Sequence, residues 1–236
     1  SSPRAMVVAL IVWGILVQFL PKPRWSVYVL IAVAVVLRLL LCSTEPSLSD
    51  DVFRYVWEGK VVLSGGNPYT ESVNNFPADE ISKLVNHPEI TSVYPPFAMW
   101  LFALCSSIFY SPLSIKIVAA TADVLIVLGI YRLAVQRKQS VENAWLYALH
   151  PLPIVESASS GHLESVAILG MVMAIVYSNQ VKQAQWWLFF GGGIKLFPWL
   201  LFPVLRNWQL KTIGLFCLIL FLSIIPFWEA GGLMGM

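Results

Sequence analysis

Long apolar runs separated by short polar turns constrain this chain more than any other feature. Ala5–Leu20 and Trp25–Cys42 come first, and Pro96–Tyr110, Ile115–Val135, Ala144–Val155, Leu163–Tyr177, Trp186–Leu205 and Ile213–Trp228 follow. The longer runs approach the roughly 20 residues a helix needs to cross a bilayer. Hydrophobic residues make up 58% of the sequence and charged residues 12%, with a mean hydropathy of +0.73. A soluble domain with a polar surface does not tolerate that balance. The expected fold class is all-α: one polytopic transmembrane helical bundle over residues 1–236.

The formal charge of +2 is spread over short loops and forms no basic block, so nucleic acid is not an expected partner. Ten Trp and eight Tyr suit rings at the membrane interface. Cys42, Cys105 and Cys217 lie within or at the end of apolar runs, without a CxxC or a His at metal spacing, and read as small core residues. The first apolar run lacks a small-residue cleavage pattern and is expected to be retained.

Pro21-Lys22-Pro23-Arg24 forms a basic turn best placed in the cytoplasm. The second helix then delivers residues 43–95 to the outer face as one large loop, rich in acids. Two full crossings after that loop would leave Arg137 and Lys138 outside, against the usual bias of basic residues. A half-crossing over Pro96–Tyr110 resolves the count.

Within the loop, Ser47–Tyr69 gathers Asp50, Asp51, Arg54 and Glu58 beside apolar segments. Ser47 or Ser49 can cap a helix from about Asp50 to Ser64 that Gly65-Gly66 stops. On such a helix Asp50 shares a face with Arg54, and Arg54 with Glu58, while Val52, Val56 and Leu63 suit the membrane side. Ala78–Asn86 reads as a second, amphipathic surface helix. A carboxylate held ionised at a helix start can take a proton from a hydroxyl or hold a divalent cation. A capped surface helix with an Asp50 to Arg54 ion pair is the plainer alternative. Phe53, Tyr55, Trp57 and Tyr69 lie among the acids, where rings can stack on sugars or anchor at the interface.

Pro151 and Pro153, and the triplet Gly191-Gly192-Gly193 with Pro198, interrupt apolar segments. Such breaks at membrane depth persist only where protein or a wet cavity receives the freed backbone groups. His162 and Glu164 open one of these segments and suit either phosphate contact or a capped helix start. Lys195 sits in a long apolar stretch, where an ammonium is costly without an anionic partner; an inward crossing over Leu163–Tyr177 and a half-helix back over Trp186–Gly193 would bring it toward His162. Arg38, one turn from its helix end, can snorkel, and Asp123 can pair within the bundle. His150 reads as structural, and Glu156 suits either role.

The run Ser49-Asp50-Asp51-Val52-Phe53-Arg54-Tyr55-Val56-Trp57-Glu58-Gly59-Lys60, followed by Gly66-Asn67-Pro68-Tyr69, resembles the first outer loop of bacterial GT-C superfamily glycosyltransferases, particularly the polyprenyl-phosphate-mannose-dependent mannosyltransferase-like group. Tyr94-Pro95-Pro96, Gly161-His162-Leu163-Glu164 and Gly193-Ile194-Lys195-Leu196-Phe197-Pro198 follow in the order and rough spacing of that group. Glu58 and Glu164 stand where Asp is more usual. The resemblance covers the N-terminal, site-bearing half to two-thirds of such enzymes. The chain opens Ser1-Ser2 and stops at Gly232-Leu233-Met234-Gly235-Met236, and is expected to be incomplete at both ends.

The resemblance implies a GT-C bundle that moves a sugar, mannose or another hexose, from a polyprenyl-phosphate donor to a hydroxyl of a glycan or glycolipid acceptor, with inversion. It implies a multi-pass protein of the cytoplasmic (inner) membrane with its site facing the periplasm. Asp50 is the expected general base and Asp51 positions the acceptor, with Asp51 as base the close alternative. Arg54 would orient the carboxylates, and Tyr55, Trp57, Glu58, Asn67, Tyr69, Tyr94, His162 and Glu164 would contact substrate. Lys195, with His162, would stabilise the leaving phosphate. A divalent cation, Mg or Mn, is optional and would sit on Asp50 and Asp51. Membrane lipids, and a protein partner supplying missing helices, complete the expected partners. The competing readings are a flippase for a lipid-linked sugar and a non-catalytic GT-C scaffold subunit.

Overall fold

The computed structural model describes residues 3–19, 26–204 and 208–228. Every regular element among them is helical: α1 Pro3–Phe19, α2 Val27–Cys42, α3 Asp51–Leu63, α4 Pro96–Ile108, α5 Pro112–Gln136, α6 Ala144–Ala148, α7 Pro151–Ile154, α8 Glu164–Val176, α9 Val181–Ile194 and α10 Leu210–Phe227. Two of these, α5 with 25 residues and α10 with 18, are long and apolar enough to cross a membrane. α1, α2, α4 and α8 are apolar but shorter. α1 and α10 turn Val7, Val8, Ile11, Phe19, Leu218 and Phe221 outward, apolar faces consistent with membrane association. The basic turn at residues 21–24 and the chain end at 232–236 lie outside the described residues.

α3 is organised differently from a surface helix. Ser49 Oγ accepts from the Asp51 amide at 3.2 Å, satisfying a first-turn donor. The helix ends where Gly65 takes a φ of +78° and the Gly66 amide returns to Val61 O at 2.9 Å. Between these ends nearly every side chain is buried. Val52 and Val56, expected on the membrane side, are enclosed with Tyr55 in a core that includes Met99 and Phe102 of α4 and Ile115 of α5, whereas Leu63 is exposed. Gly59 makes the approach to α4 possible, because a Cβ there would lie 2.2 Å from the Phe102 carbonyl oxygen.

The remainder of the 43–95 loop holds only two 3-10 turns, Val73–Asn75 and Ser82–Leu84, in place of the helix expected over 78–86. Asp79 and Ser82 explain the difference. The Asp79 amide donates to Ser82 Oγ at 2.7 Å and the Ser82 amide to Asp79 Oδ1 at 2.7 Å, a closed local turn that competes with helix propagation. Asp79 also accepts from Lys60 at 2.7 Å and Tyr110 at 2.8 Å, which pins the turn to α3 and to the end of α4.

The prolines divide the Ala144–Val155 run as anticipated. α6 and α7 are short, Pro151 opens α7, and His150 Nδ1 accepts from the Leu152 amide at 3.3 Å, a structural role. A π-helical turn, Val155–Ser159, follows. The glycine triplet, by contrast, does not break its helix. It forms the last turn of α9, where Gly193 lets Phe97 approach and Gly192 admits Trp199; the helix stops only at Lys195, whose backbone is extended. Gly170 and Gly191 meet backbone to backbone where α8 packs on α9.

Arg38 does not snorkel. It is 1% exposed and its Nη2 lies 2.6 Å from Asp123 Oδ2, joining α2 to α5. Nη1 donates to the Ala34 and Ala148 carbonyls, and Asp123 also accepts from Tyr147 and Ser157. Each apolar helix thus carries the other's counter-charge, with hydrogen bonds offsetting desolvation. Cys42 and Cys105 are buried and free, while Cys217 is exposed and free.

Candidate active site

The two adjacent acids face different surroundings. Asp50 precedes α3 and is exposed; Asp51 is the first helical residue and half-buried. Asn86 Nδ2 donates to Asp50 Oδ1 at 2.6 Å and reaches Asp51 Oδ1 at 3.4 Å, so one amide holds both carboxylates. Arg54 faces away from them. Its guanidinium donates to the carbonyls of Asn86, His87 and Ile90 and stands 4.0 Å from Glu58. Its reach toward the acids is indirect: it fixes the 86–90 segment that carries the Asn86 side chain.

Asp51 looks across to the connection between the π-helical turn and α8. Gly161 adopts a φ of +71°, and a Cβ there would lie 2.8 Å from Val52 Cγ2, so the chain can turn against α3 only at glycine. The His162 amide then donates back to the Glu156 carbonyl at 2.9 Å. His162 Nε2 comes 3.9 Å from Asp51 Oδ2, while Nδ1 lies 2.9 Å from Glu156 Oε2 and 3.6 Å from Glu164 Oε2. Burial alone would depress the imidazole. The close carboxylate of Glu156, with the charges of Glu164 and Asp51, outweighs it and holds His162 above its ordinary value.

Lys195, at the end of α9, forms an ion pair with Glu164 Oε1 at the start of α8, and its ammonium stands 5.6 Å from the centre of the Tyr94 ring, within cation–π range. Asp51, His162, Glu164 and Lys195 are therefore brought into one continuous chain of charges. A cavity of about 250 Å³ opens beside it, lined by Glu156, His162, Glu164 and, deeper, Asp123, Tyr147 and Ser157.

The other sequence-selected residues are placed apart from this group. Tyr55 is fully buried and stacked on Phe102 at 4.8 Å, and Trp57 is buried edge-on to Phe76 at 5.5 Å. These rings are core, neither sugar platforms nor interfacial anchors. Glu58 is 0% exposed, and burial, opposed by Arg54 and the Ser92 hydroxyl, pushes its carboxyl up to about 8. Asn67 is buried, with Nδ2 donating to the Phe227 carbonyl at 2.8 Å and Oδ1 accepting from the Tyr69 amide at 3.0 Å. Tyr69 donates to the Tyr94 carbonyl at 2.7 Å and Tyr94 to the Tyr55 hydroxyl at 3.1 Å. Tyr94 alone of these six borders the charge cluster.

Asn86 has no sequence signal, being one Asn in an irregular loop. Glu156 had a partial one, an acid beyond two prolines in an apolar segment. Asp50 and Asp51 are the two carboxylates available to a divalent cation. The Asn86 amide lies against both, and among the described residues no group of three or more His, Cys, Asp or Glu side chains has metal-holding geometry.

Residues 4–208 match the family described as alpha-(1->6)-mannopyranosyltransferase, N-terminal domain. No curated protein and no solved structure shows a significant match. With that match spanning most of the sequence, the chain belongs to the alpha-(1->6)-mannopyranosyltransferase family and is a hexosyltransferase of the GT-C type.

Proposed function

We propose that this enzyme transfers mannose or another hexose from a polyprenyl-phosphate donor to an acceptor hydroxyl, with inversion, at the outer face of a membrane that the chain crosses several times. The observation that carries the reading is the approach of Asp51 to His162 at 3.9 Å. It sets an acid-bearing loop helix against a cluster that ends in a lysine.

A single displacement needs the base and the leaving phosphate on opposite sides of the sugar ring. Asp51 is too close to His162 to leave a ring between them. Asp50, exposed and held through Asn86, suits the base. It takes the proton of the acceptor hydroxyl as that oxygen bonds to the anomeric carbon, and the bond from that carbon to the phosphate oxygen breaks. The bonding electrons leave on the polyprenyl phosphate, where His162 Nε2 and Lys195 stabilise the added charge. Lys195 rests on Glu164 until the phosphate displaces that carboxylate.

Purified protein given a radiolabelled polyprenyl-phosphate hexose and a glycolipid acceptor tests the reading. Asp50→Asn is expected to lower kcat by about 10²- to 10⁴-fold, with Asp51→Asn less severe. Transfer unaffected by either change overturns the mechanism, and lipid translocation without transfer establishes a flippase instead.

A further inference from the structure

We propose that Glu156 is a positioning residue for the transfer reaction, holding the His162 ring with Nε2 turned toward the space beside Asp51. This rests on the reading of His162 as a donor to the leaving phosphate.

The backbone prepares the pair. The turn over Val155–Ser159 is π-helical, a rare form that is frequent at functional sites. Its serines face the bundle: Ser157 Oγ donates to Asp123 at 3.2 Å, and Ser159 Oγ donates to the Glu45 carbonyl at 3.2 Å. Glu156 lines the cavity beside His162 and Glu164. The left-handed Gly161 then reverses the chain, and the His162 amide bonds to the carbonyl of Glu156 itself. Residues 156 and 162 thus meet twice, in a backbone hydrogen bond at 2.9 Å and in a 2.9 Å approach of Nδ1 to Oε2.

With Nδ1 facing Glu156 Oε2 at 2.9 Å, Nε2 is the ring nitrogen left to offer a ligand. That atom is buried without a hydrogen-bond partner. The 3.9 Å to Asp51 is too long for a direct bond, so a phosphate oxygen approaching Nε2 from beside Asp51 would meet an N–H already oriented. A carboxylate that fixes the orientation and charge of an imidazole in this way acts as it does behind metal-bound or catalytic histidines. The other charges facing the ring are Asp51 from α3 and Glu164 from the head of α8, with Lys195 behind Glu164. Lys195 neutralises Glu164 directly, which leaves Glu156 as the nearest carboxylate to Nδ1 without a lysine of its own.

The chain has three histidines, His87, His150 and His162, so NMR of histidine-labelled protein in detergent can follow His162 alone, with His162→Asn giving the assignment. Glu156→Gln is expected to lower the His162 titration midpoint by about one pH unit or more. The alkaline limb of kcat for sugar transfer should move to lower pH by the same amount, because the protonated ring is lost sooner. Glu156→Asp withdraws the carboxylate by one methylene and should give a smaller shift in the same direction, which keeps the test available if the glutamine variant does not fold. A His162 midpoint unchanged in both variants overturns the proposal, as does a loss of transfer uniform across pH. A midpoint that moves while the kcat limb stays in place upholds the pairing and overturns His162 as the leaving-group donor.

Discussion

Lys195 at the end of α9 and Glu164 at the start of α8 form an ion pair, and the same glutamate lies 3.6 Å from His162 through its other oxygen. The charge assigned to the leaving phosphate is therefore already answered by a carboxylate, and donor binding has to compete with it. Glu164→Gln removes the competitor while keeping shape and hydrogen bonding. The KM for the polyprenyl-phosphate donor is expected to fall several-fold, on the scale of a partly exposed ion pair worth about 1 kcal/mol or less. Lys195→Met should raise it. Steady-state kinetics with varied donor measure both, and a raised KM in Glu164→Gln would show that Glu164 holds Lys195 in its working position instead.

Among the described residues, Asn86 is the one side chain that donates to both loop carboxylates. Asn86→Ala is expected to lower kcat about tenfold, one hydrogen bond of positioning energy, with a smaller effect on unfolding because the Asp50 contact is exposed. Parallel transfer assays and thermal unfolding in detergent distinguish this from general destabilisation, which would move both together.

The Arg38 and Asp123 pair predicts a non-additive stability pattern. Arg38→Met strands a buried carboxylate and is expected to cost about 3 to 5 kcal/mol. Arg38→Met combined with Asp123→Leu removes both charges and should recover much of that loss, although Tyr147 and Ser157 then lose an acceptor. Chemical unfolding of the single and double variants gives the coupling.

Glu58 makes stability depend on pH. Its folded carboxyl is raised to about 8 by burial, so between the ordinary carboxyl range and pH 8 the folded state holds a proton that the unfolded chain has released. Stability from this group is full below the unfolded value, falls as pH rises toward 8, and levels off above it. Glu58→Gln, which keeps an oxygen for the Ser92 hydroxyl, should flatten Tm across that window and raise it on the alkaline side. A Tm profile that falls equally steeply in both proteins would place the titration elsewhere.

Much of this was legible in the residues. Period and apolar length gave the helices, Ser49 and the Gly65-Gly66 pair marked the ends of α3, and Pro151 marked the break before the π-helical turn. Where the reading went astray, one cause was tertiary and the other local. Val52 and Val56 were given to the membrane, yet a glycine at 59 lets α3 sink against α4 and encloses them. The helix expected over 78–86 gave way to a reciprocal turn between Asp79 and Ser82.

By itself the sequence determined an all-helical chain with membrane-length apolar helices, four polar motifs in order along it, and the presence of acids, a histidine and a lysine costly enough in such surroundings to demand partners. The pairing of those partners was decided only by the tertiary structure. Local spacing suggested Arg54 for Asp50, but a guanidinium with five donors found three backbone carbonyls in the 86–90 segment instead. Arg38 found Asp123, Lys195 found Glu164, and His162 came to lie between Asp51 and Glu156. The physical reason is that charge placement in an apolar fold is settled by desolvation and contact in three dimensions, which no spacing along one helix records.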